Sequence, residues 1–301
     1  MHKYLYFYPL CGFSDILWSL HVILLYCKKY DRILLFNTMN SLYKINFSDY
    51  FDLPHENIIY DHNEIVKICK EDCDIYPSFL GKNLSDIING KLNFSHAMGG
   101  WGRHNDKEIK LPTEKRPEKI IFMTRGGGGH GYLMFKTLTF KQNIISHVME
   151  KYSQIKKPYL CIQVRNTDRK SDYKLFYRQK RELIHSYNSI YIATDDINVL
   201  EFFQSKELPI LNFTAFGTEK HKNLHGNNSI SPHTKILDLI TDIYIIVRAN
   251  KFLSNSIGGF IKLVRECREN QDYISSKFSI KKDGSDLSQT RDFSKLFRII
   301  N

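Results

Sequence analysis

Apolar residues in this chain gather in short dense runs, separated by longer stretches in which they recur every third or fourth position. The dense runs read as buried parallel strands and the periodic stretches as amphipathic helices. "KYLYFYPL" opens with a strand, "CGFSD" turns, and residues 15–30 follow as a helix with Ser14 or Asp15 as its cap. "RILLFN" is the next strand, and "NIIY" (57–60) and "KIIFMT" (119–124) are two more. The stretch 81–118, with "AMGGWGRHND" inside it, is polar and irregular and predicts loops that meet substrate. Beyond it the alternation restarts. "TFKQNIISHVMEKYSQI", "KRELIHSY", "INVLEFFQSK", "TKILDLITDIYIIVRAN" and "GGFIKLVRECREN" predict helices, between the strands "YLCIQV", "SIYIAT", "LPILNF" and "KFLSN". Two βαβ-rich halves predict an α/β protein with two Rossmann-like domains. Their expected bounds are 1–130 and 131–275, with 276–301 as a tail or closing helix.

Composition changes this picture in three ways. A length of 301 residues with 42% apolar and 13% aromatic residues suffices for two packed cores and argues against disorder. A net charge of +11 favours anionic partners, a nucleotide or an anionic membrane surface. Its even spread, without a Lys/Arg block, argues against nucleic acid. The six cysteines show no paired-motif spacing, and most lie in apolar runs, which predicts reduced core residues and a reducing compartment. The N-terminus lacks signal-peptide architecture, and "ILWSLHVILLYC" is too short to cross a bilayer, so a cytoplasmic protein is expected.

Ligands of open α/β sheets bind at the carboxyl ends of strands. "YLCIQV" runs into "RNTDRKSDYK". There Arg165 and Arg169 are suited to grip a diphosphate bidentately, and Asp168 and Asp172 to act as a base or to orient them. A solvated loop with internal ion pairs is the plainer alternative. "ATDD" places Asp195 and Asp196 at the next strand end, for ribose, for a metal or as a helix cap. "SNSIGGF" sets Ser254, Asn255 and Ser256 before a glycine-rich helix start, an anion nest. It competes with "TRGGGGHGY", whose Gly126–Gly129 run is expected to line the cleft at the domain junction, with His130 near the acceptor. No helix is expected directly after that run, so it lacks the setting of a phosphate loop. Asp238 and Asp242 share one face of a mostly apolar helix and need partners, either a ligand or Arg248 or His233.

"IQVRNTDRKSD", "IYIATDD" and "DLITDIYIIVRANKFLSNSIGGFIKLV" together resemble the three C-terminal motifs of the GT-B fucosyltransferase superfamily, the alpha-1,6 and nodulation type above all. "CGFSDILWSLHVILLYCKKYDRILLF" is similar to the glycine-turn opening of that family. The resemblance covers about 135–267 and, loosely, 4–36. It implies the GT-B fold, with parallel sheets facing a central cleft, and fucose transfer from GDP-fucose to a glycan or lipid-linked glycan in bacterial surface polysaccharide. It also implies that Gly12 lies in the donor site, that Arg165 binds the β-phosphate, that Asp242 reads guanine, and that Ser254–Ser256 meet phosphate. Two positions depart from the family: Gln163 stands where it has His, and Tyr173 where its catalytic Glu would fall. Arginines at the diphosphate predict an inverting, metal-independent reaction without a cofactor. The alternatives are a related transferase for another deoxyhexose or heptose donor, and a non-catalytic nucleotide-sugar binder. Peripheral contact with the inner face of the cytoplasmic membrane is a further expectation.

Overall fold

The computed structural model describes residues 2–279 except 40, 54, 71–73, 82–83, 97–99, 168–169 and 220–223. The first half runs β1 (Tyr4–Pro9), α1 (Phe13–Tyr30), β2 (Ile33–Phe36), β3 (Phe51–Asp52), β4 (Ile58–Ile59), α2 (His62–Lys70), β5 (Ile75–Tyr76), α3 (Leu84–Ile88), β6 (Ser95–His96), β7 (Gly102–His104), β8 (Lys107–Ile109), β9 (Ile120–Arg125) and α4 (Tyr132–Phe135). Five of these strands form a parallel sheet in the order β4-β2-β1-β9-β5. β1 is central, which is why its run is apolar on both faces: Leu5 and Phe7 pack on one side, Tyr6 and Tyr8 on the other.

The second half runs β10 (Thr139–Phe140), α5 (Gln142–Ser153), β11 (Leu160–Val164), α6 (Tyr173–His185), β12 (Ile190–Thr194), α7 (Ile197–Gln204), β13 (Ile210–Leu211), α8 (Pro232–Arg248), β14 (Lys251–Ser254), α9 (Gly259–Glu269) and α10 (Gln271–Ser276). Its sheet is also parallel, in the order β13-β12-β11-β14. A two-stranded antiparallel ribbon, β3 with β10, ties the halves together at Phe51–Phe140 and Asp52–Thr139. One hydrophobic cluster runs from Leu5 and Phe13 in the first half through Phe140 to Val264 and Phe278 in the second.

Several local expectations change. α1 is capped by Gly12, without a side-chain cap, so neither Ser14 nor Asp15 is the cap; both sit in the first turn. The Phe13 N–H instead donates to the Tyr43 hydroxyl at 3.2 Å. α6 starts at Tyr173, seven residues before "KRELIHSY", because Asp172 caps it by accepting from the Leu175 N–H at 2.8 Å. Only Phe176, Tyr177 and Ile184 of this helix are buried, too sparse a stripe for periodicity to find its start. The stretch 81–118 holds α3 and an antiparallel sheet β6-β7-β8. Those strands are two or three residues long, too short to show alternation. The expected boundary at 275 falls within α10, and residues 280–301 lie outside the described part.

Among the described residues no helix is long and apolar enough to cross a membrane. Of the five described cysteines, Cys27, Cys69, Cys161 and Cys267 are buried and Cys11 is half-buried.

Candidate functional site

The carboxyl ends of β1, β11 and β12 open onto one cavity of about 300 Å³, lined from both halves of the chain. From the first half come Cys11, Gly12 and the opening turn of α1, including Ser14 and Asp15. From the second come Gln163 and Arg165 at the end of β11, Thr194 and Asp195 at the end of β12, and Lys235, Asp238 and Asp242 on α8. The first turn of α9 completes the wall at Gly259 and Phe260.

Two helix N-termini therefore meet at this cavity, those of α1 and α9. Each presents backbone N–H groups and the positive end of its dipole. They are joined directly, since the Ser14 hydroxyl donates to the Gly259 carbonyl at 3.1 Å. Gly258 caps α9 at φ 127°, a conformation open only to glycine, and leaves that N-terminus without a side-chain cap. A methyl group on Gly259 would lie 3.3 Å from Asp15 Oδ1 and from Ser14 Oγ, a tight contact that those side chains would have to relieve by a few tenths of an ångström. Arg165 follows the buried strand β11, and its N–H donates to Ser256 Oγ at 2.7 Å, which fixes the backbone from which the guanidinium enters the cavity. Lys235 adds a second cation, pushed below its ordinary range first by burial and then by Lys44. An arginine, a lysine and two helix starts bring positive charge to a cavity that Asp15, Asp195, Asp238 and Asp242 also line, a mixed wall in which an anion such as a diphosphate has partners at Arg165 and the helix starts.

The opposite chemistry lies on α8. Asp242 accepts from the Tyr191 hydroxyl at 2.6 Å, and Asp238 accepts from the Ala215 N–H at 2.8 Å. Burial pushes the Asp242 carboxyl up to about 7; the Tyr191 bond opposes the rise and the Asp238 charge adds to it. Burial raises Asp238 as well. Neither acid pairs with the basic groups that the sequence offered: His233 meets the Tyr50 hydroxyl and Arg248 meets Ser275. At the end of β12 the two acids divide their roles. Asp196 caps α7, and hydrogen bonds from Asn166 and Asn198 outweigh burial and hold it below its ordinary range. Asp195 lines the cavity and accepts from the Asn166 N–H and the Thr167 hydroxyl at 2.7 and 2.6 Å.

Of the residues expected at a site, Gly12, Arg165, Asp195 and Asp242 are thus brought together. Ser254, Asn255 and Ser256 stand behind that wall: Ser254 donates to Gln163 Oε1, Ser256 accepts from Arg165, and Asn255 Oδ1 is buried without a hydrogen-bond partner. Asp172 is an exposed helix cap away from the cavity lining, and Tyr173 packs edge-on against Phe202. Asp168 and Arg169 lie outside the described residues. Sequence reasoning missed Asp15, Tyr43 and Lys235 as site residues; the signal for Asp15 was its place three residues after Gly12, the glycine that caps α1. Among the described residues no three His, Cys, Asp or Glu side chains converge as a metal cluster.

The glycine run has a packing role. A Cβ on Gly128 would fall 2.3 Å from Trp18 Cδ1, and one on Gly131 would fall 2.8 Å from Ser14, so the loop lies tight against the first turns of α1. Gly126 bonds backbone to backbone with Gly100 at 2.7 Å, and Gly127 needs its positive φ of 74°. A short helix, α4, does open after the run, but Gly126–Gly129 are absent from the cavity lining. His130 is mostly exposed and lies 3.8 Å from Glu266.

No family model matches the sequence, and no curated protein does. Solved structures do. The chain is similar to NodZ alpha-1,6-fucosyltransferase co-crystallized with GDP (TM-score 0.59, 16% identity, 88% of this chain and 92% of that one). The same values hold for fucosyltransferase NodZ from Bradyrhizobium. POFUT1 in complex with GDP-fucose is similar at a TM-score of 0.51 and 15% identity, over 89% of this chain and 94% of that one. At these identities the likeness is one of architecture, and over nearly its whole length this chain has the fold of those fucosyltransferase structures.

Proposed function

We propose that the chain is a glycosyltransferase of GT-B architecture, with Rossmann-like domains 1–130 and 131–275 facing each other across the cavity. In this reading it transfers fucose from GDP-fucose to a glycan acceptor. One observation carries the reading: Arg165 enters a cavity onto which the N-termini of α1 and α9 converge. That arrangement is suited to a sugar nucleotide's diphosphate and to the charge that grows on it as the glycosidic bond breaks. Asp242, with Tyr191 behind it, offers an acceptor to the N1–H and amino group of guanine. The neighbours' solved complexes with GDP and GDP-fucose support this donor.

The reaction is proposed to be a single inverting displacement. Asp15, on the wall opposite α8, is assigned the acceptor hydroxyl proton; Asp172, capping an exposed helix start, is not. Arg165 and the two helix starts then supply the positive charge that the leaving diphosphate needs, so metal independence belongs to the proposal. A lipid-linked glycan acceptor, the setting of O-antigen or capsule synthesis, and a cytoplasmic place at an anionic membrane face extend it and rest on the +11 charge. Gln163, bonded to Ser254 at the cavity wall where the resembling family has His, keeps a second donor class in view, another nucleotide-activated deoxyhexose or a heptose.

Thermal denaturation with GDP, UDP, CDP and their sugars tests the reading. A site-specific nucleotide stabilises by about 2.7 kcal/mol at a hundredfold excess over its Kd. GDP and GDP-fucose are expected to raise Tm, and labelled fucose transfer is expected to survive EDTA. A shift with UDP alone would discard guanine recognition, and a loss of transfer in EDTA that Mg²⁺ or Mn²⁺ restores would discard the metal-free mechanism.

A further inference from the structure

The outward face of α6 carries a pattern that the cavity does not use. Lys174, Arg178, Arg181 and His185 are all exposed and recur at steps of four, three and four residues, so they form one row down the helix, about 16 Å long. Lys180 is exposed as well. Against these cations stand Glu182 and the cap, Asp172. Among the described residues no ion pair reaches Lys174, Arg178, Lys180 or Arg181. The row also works against the helix that bears it. Cations three and four residues apart repel one another, and Lys174 lies in the first turn, where the dipole disfavours positive charge. α2, by contrast, places Glu64 in its first turn and Lys67 and Lys70 in its last. Charge that costs its own helix stability points to an anionic partner outside the chain.

Aliphatic side chains beside the row identify the partner. Leu175, next to Lys174, is 42% exposed, and Ile197, which opens α7, is 37% exposed. The two helices lie side by side, with Tyr173 and Tyr177 both edge-on to Phe202 at 5.3 and 5.5 Å. Both start at the carboxyl end of their sheet, the end at which the cavity opens. The surface at that end thus offers cations and aliphatic groups together. A bilayer of anionic phospholipid takes up both, with headgroup phosphates for the cations and the acyl boundary for the aliphatic groups. A nucleic acid backbone would engage the cations and leave Leu175 and Ile197 in water. The row is also coupled to the site, since the Ser171 hydroxyl, just before the α6 cap, donates to the Arg165 carbonyl at 3.1 Å.

We propose that α6 docks this chain on an anionic phospholipid surface, with Lys174, Arg178 and Arg181 on headgroup phosphates, Leu175 and Ile197 at the acyl boundary, and the cavity mouth turned toward the bilayer. The docking rests on this face alone. What it would present to the cavity, a lipid-linked acceptor, rests on the glycosyltransferase reading.

Co-sedimentation of the full chain with vesicles, at physiological ionic strength, is the test. Vesicles of phosphatidylcholine alone are compared with vesicles that also hold phosphatidylglycerol, and thermal denaturation with and without GDP runs in parallel to report folding and the donor site. Wild type is expected to bind the anionic vesicles only. Lys174→Gln/Arg178→Gln/Arg181→Gln should weaken that binding about a hundredfold, the scale of three lost near-surface cations, and Leu175→Ser/Ile197→Ser should weaken it severalfold. A control of equal charge change at exposed positions of the first half, Lys67→Gln/Lys70→Gln/Lys115→Gln, should bind like wild type. Absence of binding to the anionic vesicles overturns the docking, also where duplex DNA binds through the row instead, and leaves the donor site standing if GDP still stabilises. Equal loss in the control overturns the docking too, because net charge and not α6 then holds the chain. Vesicle binding that needs the row, without a response to GDP, supports the docking and sinks the donor reading.

Discussion

The proposed role of Asp242 sets two demands against each other. A guanine acceptor must be ionised, yet burial holds the proton of this carboxyl up to about 7. The folded chain therefore binds this proton more tightly than the unfolded chain does. Its contribution to stability is complete below the unfolded value and is lost as pH rises through about 7. Asp242→Asn keeps an acceptor for Tyr191 and removes that loss. The ligand-free variant is expected to exceed wild type by roughly 1–3 kcal/mol at about pH 8, with the gap closing toward about pH 5. GDP binding to wild type should tighten over the same rise in pH and be weak in the variant at every pH. Denaturation and calorimetry across pH check both; a variant that is no more stable at high pH shows that the carboxyl is already solvated. Arg165→Lys and Asp15→Asn form a second comparison at this scale. Lys cannot reproduce the guanidinium fork, so Arg165→Lys should weaken GDP binding and cut turnover by on the order of 10². Asp15→Asn should leave GDP affinity in place and lower kcat alone. Equal effects of the two variants on GDP affinity would remove the proton-transfer role from Asp15.

At the scale of elements, α1 ties the site to the scaffold: its first turn lines the cavity that Arg165 and Asp242 share, and the glycine loop wraps its start. Gly128→Ala would drive a methyl group to 2.3 Å from Trp18 Cδ1 and 2.8 Å from its Cβ, which the side chain cannot escape by swinging its tip. The expected cost is about 1–3 kcal/mol, as for other overpacked sites, with a change in Trp18 fluorescence. A fluorescence spectrum like that of wild type would mean that the loop, and not the ring, gives way. This is where the sequence was least legible. Four glycines beside Arg125 and His130 predict a loop that lines the cleft, because backbone freedom serves a ligand and a bulky neighbour equally well; only the position of Trp18 separates the two. Strands were legible because burial on both faces leaves near-continuous apolar runs such as "YLCIQV". Arg165 and Asp242 were legible because an ionisable residue at a strand end or inside an apolar helix demands a partner. Asp15 was not, since an acid in a first helical turn satisfies ordinary capping chemistry without any ligand.

Over the whole molecule, the two sheets share one apolar cluster that runs from Leu5 to Phe278. Rings span the junction: Phe51 contacts Phe140 at 5.6 Å, Phe140 contacts Phe278 at 4.5 Å, and Phe278 contacts Tyr244 at 4.6 Å. A segment ending at residue 130 would strip Phe13 of Phe135 and Phe51 of Phe140, so neither half is expected to fold alone. Denaturation of the full chain should show one transition by both fluorescence and circular dichroism, and two separated transitions would refute a shared core. The alternation of strands and helices foretold two sheets, but it could not show that they lean on a common set of aromatic rings, because those contacts join residues far apart in sequence. For anyone redesigning ligand preference on this scaffold, that spine of rings forbids exchanging one half for a homologue's. A chimera cut near residue 130 would have to rebuild Phe51, Phe140 and Phe278 as a set, whereas recarving the cavity wall around Arg165, Lys235 and Asp242 leaves the spine untouched.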